Sequence, residues 1–205
     1  MVDRHAKSEI LSMWVSFKAG DERALRSLME LYLPKMYNYG SKFSNDREFI
    51  KDCIQDVFIG MWQYRENLAL PDSPKAYLLT ALRRKMFSSR SRITLTSLDP
   101  KSDMLFSTEQ SAEDTLIERE SIAGQNKLVA HLLGRLPERQ REVIYLKFYQ
   151  GLDRHETAAV MGISDQSVSN LFQKALNALK SLHSSGVPVL VRSVIHLLLI
   201  CRILS

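Results

Sequence analysis

The chain has 205 residues, 45% of them hydrophobic, with a formal net charge of +5 and a pI near 9.2. That length holds one large domain or two small ones with their own cores, and the composition excludes a low-complexity or disulfide-stapled chain. The mild positive balance permits a nucleic-acid partner without requiring one.

The charge is unevenly spread. Residues 1–92 carry 16 basic and 11 acidic side chains, residues 93–124 carry 2 and 7, and residues 125–205 carry 10 and 5. A basic–acidic–basic order predicts two modules joined by an acidic connector. The N-terminal MVDRHAKSEI lacks an apolar signal region, which points to the cytoplasm. Cys53 and Cys201 lie far apart and fit no metal spacing, and Cys53 falls inside an apolar helical pattern, as a buried free thiol would.

Strand signals are scarce, so the expected fold class is all-α. Over residues 22–39, Leu25, Leu28, Tyr32, Met36 and Tyr39 recur at three and four residues, a helical period. Pro34 predicts a break or kink there. Asn45 or Asp46 is placed to cap a second helix, about 47–67, with the apolar stripe Ile50, Ile54, Val57, Phe58, Met61 and Trp62. The run Pro71, Asp72, Ser73, Pro74 breaks the chain. A third helix, about 74–90, turns Tyr77, Leu78, Ala81 and Leu82 to the core. These three helices make a first bundle, expected over 10–92.

Residues 93–115 lose the helical period and gain Ser, Thr, Asp and Pro, so 93–124 reads as a flexible acidic linker. From about 115 helices resume. Pro137 starts one with Glu138 in its first turn and the stripe Val143, Ile144, Leu146, Lys147 and Phe148.

Residues 154–173, RHETAAVMGISDQSVSNLFQ, then read as a helix-turn-helix. Ala158 is small where two helices nearly touch. Gly162 can take the left-handed conformation that ends the first helix. Ser164 stands at the N-cap of the next. Thr157, Met161, Ile163, Val168 and Leu171 supply the buried side, while Gln166, Ser167, Ser169, Asn170, Gln173 and Lys174 can hydrogen-bond outward. An ordinary helical hairpin is the plainer reading. The second helix should continue to about Leu182, giving a second module over 125–183.

Two further clusters stand out. Asp52, Gln55, Asp56 and Ile59 are spaced i, i+3, i+4, i+7 and share one helix face. That face is either simply solvated or a docking surface for a basic helical partner. Arg83, Arg84, Lys85, Arg90 and Arg92, interleaved with Met86 and Phe87, suit phosphate neutralisation and stacking on an unpaired base. The plainer alternative is a solvated helix end whose cations favour the helix dipole. No catalytic constellation appears. The five histidines sit outside metal-ligand spacing, and Walker-type loops and nucleophile elbows are absent. The expectation is a protein that is not an enzyme and takes no metal or cofactor.

The order of these parts resembles a sigma factor of RNA polymerase. The parts are DCIQDVFIGMW, a break, YLLTALRRKMFSSRSR, an acidic linker, LPERQREVIYLKFYQGL and a terminal helix-turn-helix. The short form is similar to the extracytoplasmic-function (ECF) subfamily, over about residues 10–182. The resemblance implies core RNA polymerase and promoter DNA as partners, with an anti-sigma factor as a further candidate. It places Asp52, Gln55, Asp56, Phe58 and Trp62 on the helix that docks on the polymerase clamp. Tyr77 and Arg83 fall on the segment that melts and reads the minus-ten element. Leu136, Pro137, Arg141 and Glu142 start the C-terminal module, and Ser167, Val168, Asn170 and Lys174 lie on the helix that reads the minus-thirty-five element. The linker would thread near the RNA exit path. Arg84 and Ser88 stand where relatives often carry Asn and Asp, and Ser169 and Leu171 where relatives are often basic. A recognition helix this poor in cations should bind DNA weakly without the polymerase.

The tail VPVLVRSVIHLLLICRIL, 187–204, lies outside that resemblance. Its length suits a membrane span, but Arg192, His196 and Arg202 interrupt it, which makes membrane insertion costly. Packing on the protein's own modules, or against another protein, are the other two readings. A stand-alone helix-turn-helix regulator with a sensing or dimerising bundle is the main rival for the whole chain. A helical adaptor with no DNA role is the second.

Overall fold

The computed structural model describes residues 4–96 and 133–183. Among them there are seven α-helices and no strand. In chain order they are α1 (Arg4–Lys18), α2 (Glu22–Gly40), α3 (Arg47–Gln63), α4 (Pro74–Thr96), α5 (Glu138–Phe148), α6 (Arg154–Met161) and α7 (Asp165–His183). A short 3-10 turn, Arg65–Asn67, follows α3. The described residues group into two compact units. One holds α1 to α4 with residues 155–162, and the other holds residues 133–154 and 163–183.

Local chemistry sets the boundaries in the first unit. Gly20, at φ 94°, ends α1 by sending its N–H to the Phe17 carbonyl while the Asp21 N–H reaches Ser16. This is the left-handed close that glycine adopts without a Cβ clash. Asp21 then caps α2 through Oδ1, which accepts from the Arg23 N–H at 2.8 Å. Asp46, rather than Asn45, caps α3 by accepting from the Phe49 N–H at 3.0 Å. Ser73 caps α4, its Oγ accepting from the Ala76 N–H at 3.3 Å. Pro74 takes the first helical position, where no N–H is needed.

The core of the bundle is apolar and aromatic. Trp14, Phe17, Leu28, Met36, Tyr39, Ile50, Leu78, Leu79, Leu82 and Met86 are all but inaccessible to water. Helix α2 packs on α1, α3 and α4, and α3 packs on α4. Gly40 permits the closest approach: a Cβ there would lie 2.8 Å from Ile50 Cγ2 and 3.6 Å from Met86 Sδ.

Three features depart from the expected elements. Helix α1 is a fourth member of the bundle, anchored by Trp14 and Phe17. Pro34 does not break α2, which runs through it to Gly40. Leu28 and Tyr32 before it and Met36 and Tyr39 after it are buried, and that anchoring outweighs one missing backbone hydrogen bond. Helix α4 extends to Thr96, so residues 93–96 are helical rather than linker.

In the second unit α5 packs on α7. Val143, Ile144, Tyr145 and Leu146 are buried along α5, and Val168, Ala175, Leu176 and Leu179 along α7. Lys147 lies over the Phe172 ring at 5.3 Å, and Phe148 meets the same ring at 5.9 Å. Burial pushes Tyr145 up to about 12, although its hydroxyl accepts from Gln150 Nε2 at 3.0 Å. The expected linker beyond Thr96 and the tail 187–204 lie outside the described residues. No helix among those described is long and apolar enough to cross a membrane.

Candidate polymerase and promoter surfaces

The acidic face of α3 forms as its spacing predicts. Asp52, Gln55, Asp56 and Ile59 are all exposed, Ile59 at 45%. Phe58, which the resemblance puts on the docking helix, lies in the buried stripe that its period predicts. It is 3% exposed, and with Ile54 and Met61 it belongs to the buried stripe, so it supports this surface from beneath. Trp62 is half-buried at the end of the face. Arg65 covers its ring at 4.5 Å and donates from Nη1 to the Trp62 carbonyl at 2.9 Å. Phe17 of α1 meets the same ring at 6.3 Å. Arg65 and Phe17 were missed by sequence reasoning. An Arg three residues past a Trp at a helix end was the available signal.

Asp56 and Lys85 are not independent charges. Lys85 Nζ lies 2.6 Å from Asp56 Oδ2, tying the acidic edge of α3 to the basic edge of α4. Asp52 has no ion pair to another described residue. Beneath these groups Cys53 is buried and free. Burial is the main force holding its thiol above the usual range, and the Lys85 charge and a Ser89 hydrogen bond oppose it.

On α4, Arg84 is exposed while Arg83 and Lys85 are half-buried. Phe87 is 39% exposed, but one of its faces is already taken. The Arg83 guanidinium lies 4.5 Å from the ring centroid, and Phe43 abuts Phe87 edge-on at 6.0 Å. A base arriving here would meet an arginine–phenylalanine stack rather than a bare ring. Tyr77 is half-buried, edge-to-face with Trp14 at 5.3 Å. Burial raises its hydroxyl above the ordinary range. Ser88 Oγ donates back to the Lys85 carbonyl. Arg90 and Arg92 lie on α4 with side chains outside the described residues.

The turn before α7 forms as read. Gly162 has φ 64°, and Ser164 Oγ accepts from the Ser167 N–H at 3.2 Å. Thr157, Ala158, Val160 and Met161 of α6 are buried. Arg154 Nε lies 3.8 Å from Asp165 Oδ2. Along the exposed side of α7, Gln166 Nε2 donates to Asn170 Oδ1 at 3.1 Å, and Gln173 Nε2 donates to Asn177 Oδ1 at 3.1 Å. Ser169 Oγ turns back to the Asp165 carbonyl, so it faces its own helix. Ser167 shares a hydrogen bond with Ser164 Oγ at 2.9 Å, and Lys174 is exposed. At the start of α5, Leu136 and Glu142 are buried and Pro137 is the N-cap residue. Burial pulls the Arg141 guanidinium below its usual range, against the charge of Glu138.

The described residues are thus helical, with an acidic edge on α3, a basic aromatic edge on α4 and a polar exposed side on α7, a set of surfaces suited to a protein that joins a partner to DNA. The comparisons agree. A family model described as Sigma-70 region 2 matches residues 28–94, and one described as Sigma-70, region 4 matches residues 127–179. The ECF RNA polymerase sigma factor RpoE of Cereibacter sphaeroides is 25% identical over 162 residues, covering 78% of this chain and 86% of that protein. The RNA polymerase sigma factor CnrH of Cupriavidus metallidurans is 27% identical over 171 residues, covering 80% and 88%. Among solved structures, CnrH in complex with the cytosolic domain of CnrY aligns at TM-score 0.58 and 21% identity, covering 86% of this chain and 98% of that one. Bartonella quintana RpoE in complex with the anti-sigma factor NepR aligns at TM-score 0.56 and 21% identity, covering 78% and 96%. The chain belongs to the ECF subfamily of sigma-70-type RNA polymerase sigma factors.

Proposed function

We propose that the α3 edge formed by Asp52, Gln55, Asp56 and Ile59, closed by Trp62, docks on core RNA polymerase. The observation that carries this is the geometry of that edge: two carboxylates and an amide share one exposed face with an exposed isoleucine, on a helix whose opposite stripe is buried. A stand-alone regulator has no use for such a face. Arg83, Arg84 and Phe87, joined by Lys85 when it leaves Asp56, act on the minus-ten element, and Arg90 and Arg92 belong to the same helix. The outward side of α7, with Gln166, Asn170, Gln173 and Lys174, reads the minus-thirty-five element, and Ser164 holds the helix end that approaches DNA. The first module takes in all of α1 to α4, residues 4–96, and the second carries α5 and α7.

The rest of the reading follows from the same assignment. The protein works in the cytoplasm, performs no catalysis and needs no cofactor. A protein of the anti-sigma class, the kind seen with Bartonella quintana RpoE, is a candidate partner for the same surfaces. The test is run-off transcription with purified core polymerase and a duplex library randomised over both promoter elements. Wild-type chain should yield discrete transcripts that core alone does not. Asp52→Ala/Gln55→Ala/Ile59→Ala should abolish them and lose core binding while keeping native helicity. Transcripts unchanged by the triple variant would sink the docking assignment.

A further inference from the structure

The exposed side of α7 carries two side-chain amide pairs of one pattern. Gln166 donates to Asn170 and Gln173 donates to Asn177, each from Nε2 to Oδ1 at 3.1 Å. Residues 166, 170, 173 and 177 follow the spacing i, i+4, i+7, i+11, so they fall on one face. The opposite face, with Val168, Ala175 and Leu179, is buried. The ladder is therefore held to a packed helix and points away from the core.

A glutamine amide has one carbonyl oxygen and two N–H donors. The intrahelical bond uses one N–H of each glutamine. Each keeps its Oε1 and its other N–H, the donor–acceptor pair that matches adenine N6 and N7 in the major groove. Each asparagine spends one lone pair of Oδ1 on holding its glutamine. We propose that Asn177 is a positioning residue that sets the Gln173 amide for base reading, as Asn170 sets Gln166. The two glutamines become preset adenine readers. They are seven residues, or about 10 Å, apart along the helix, and so about three base steps at about 3.4 Å each. Presetting matters because a free glutamine must lose rotamer freedom when it binds. The ladder is uncharged, so it acts on selectivity and not on phosphate attraction.

This inference rests on the assignment of α7 to the minus-thirty-five element, and the experiment separates the two. The measurement is promoter selection by the holoenzyme, assembled from core polymerase and full-length chain, on the doubly randomised library. Gln173→Ala should lose adenine preference at one base pair, by about fivefold or more, the low end for a bidentate amide contact. Asn177→Ala should lose preference at that same base pair, and the double variant should lose no more than Gln173→Ala alone, because the two act as one unit. Asn177→Asp keeps the acceptor oxygen, so it should retain the preference while weakening binding at all sequences through its charge. The proposal is overturned if Asn177→Ala leaves the preference intact, adds independently to Gln173→Ala, or weakens every promoter equally. If neither Gln173→Ala nor Gln166→Ala alters selection anywhere while wild-type holoenzyme still transcribes, the assignment of α7 itself fails.

Discussion

The Lys85–Asp56 pair makes a prediction whose sign is unusual for removing a charge near a functional surface. The two side chains are 37% and 49% exposed, so water screens them strongly. Exposed ion pairs of this kind contribute about 0.2–1 kcal/mol. A cation on core polymerase that takes Asp56 must first displace Lys85 and lose that amount. Removing the competitor by Lys85→Ala should therefore tighten binding to core by about 1.4- to 5-fold. The same variant should weaken open-complex formation, since one cation leaves the edge of α4. Asp56→Ala should weaken core binding, and adding Lys85→Ala to it should change nothing further. The assay is equilibrium binding of fluorescently labelled full-length chain to purified core, at low and high salt. The gain should shrink at high salt as all the charges are screened. Weaker core binding by Lys85→Ala, with native circular dichroism, would refute the idea that Lys85 competes for Asp56.

Four further outcomes are expected. Gly40→Ala places a methyl 2.8 Å from Ile50 Cγ2, a methyl held close to the backbone by a stiff β-branched side chain in the core, so thermal unfolding should show a loss of about 1–3 kcal/mol; an unchanged Tm would mean that α2 and α3 separate freely. Ser164→Ala removes the acceptor for the Ser167 N–H and should cost about 0.5–2 kcal/mol, read by denaturant unfolding, with no loss of core binding. Burial raises Tyr32 and Tyr145 to about 12 from 10.0. The unfolded chain then releases these protons first, so stability is complete below pH 10 and falls between pH 10 and about 12, by about 2–3 kcal/mol per tyrosine; an alkaline titration followed by circular dichroism checks this, and Tyr32→Phe should blunt it. Lys174→Ala should lower the salt slope of holoenzyme–promoter binding by about 0.9, one phosphate contact, whereas Gln166→Ala should leave that slope unchanged.

The helix faces were legible because each is a property of one helix. The stripe Ile50, Ile54, Val57, Phe58 and Met61 is buried as its period requires, and Asp52, Gln55, Asp56 and Ile59 are exposed together. Caps were legible for the same reason: Asp46 and Ser164 act within three residues of themselves. Helix α1 was overlooked although Trp14 and Phe17 are three apart, because its polar first turns dilute the period. Pairings between helices were not legible. That Lys85 meets Asp56, that Phe43 abuts Phe87, or that Phe17 supports Trp62 depends on how separate elements pack against each other. The basic cluster on α4 therefore looked like five equivalent cations, whereas Lys85 is committed to α3 and Arg83 to an aromatic ring. Phe58 was legible in the stripe but not in the resemblance, since a residue on a docking helix need not face the partner.

These distinctions bear on how the two units share the work. Affinity for DNA scales with the phosphates a protein neutralises, and α7 offers only Lys174 and Lys180 along its length. Its exposed side is instead a row of neutral amides held in register by each other. Such a surface discriminates without attracting. The proposed phosphate-facing cations sit on α4, where one of them, Lys85, is paired with Asp56. On the proposed roles, such an arrangement would keep the free chain from occupying DNA at random, because the α4 helix is partly neutralised and α7 carries little charge. If the α3 edge docks as proposed, polymerase would both supply the missing affinity and release Lys85, and selection by α7 would operate on DNA that the assembled enzyme already holds.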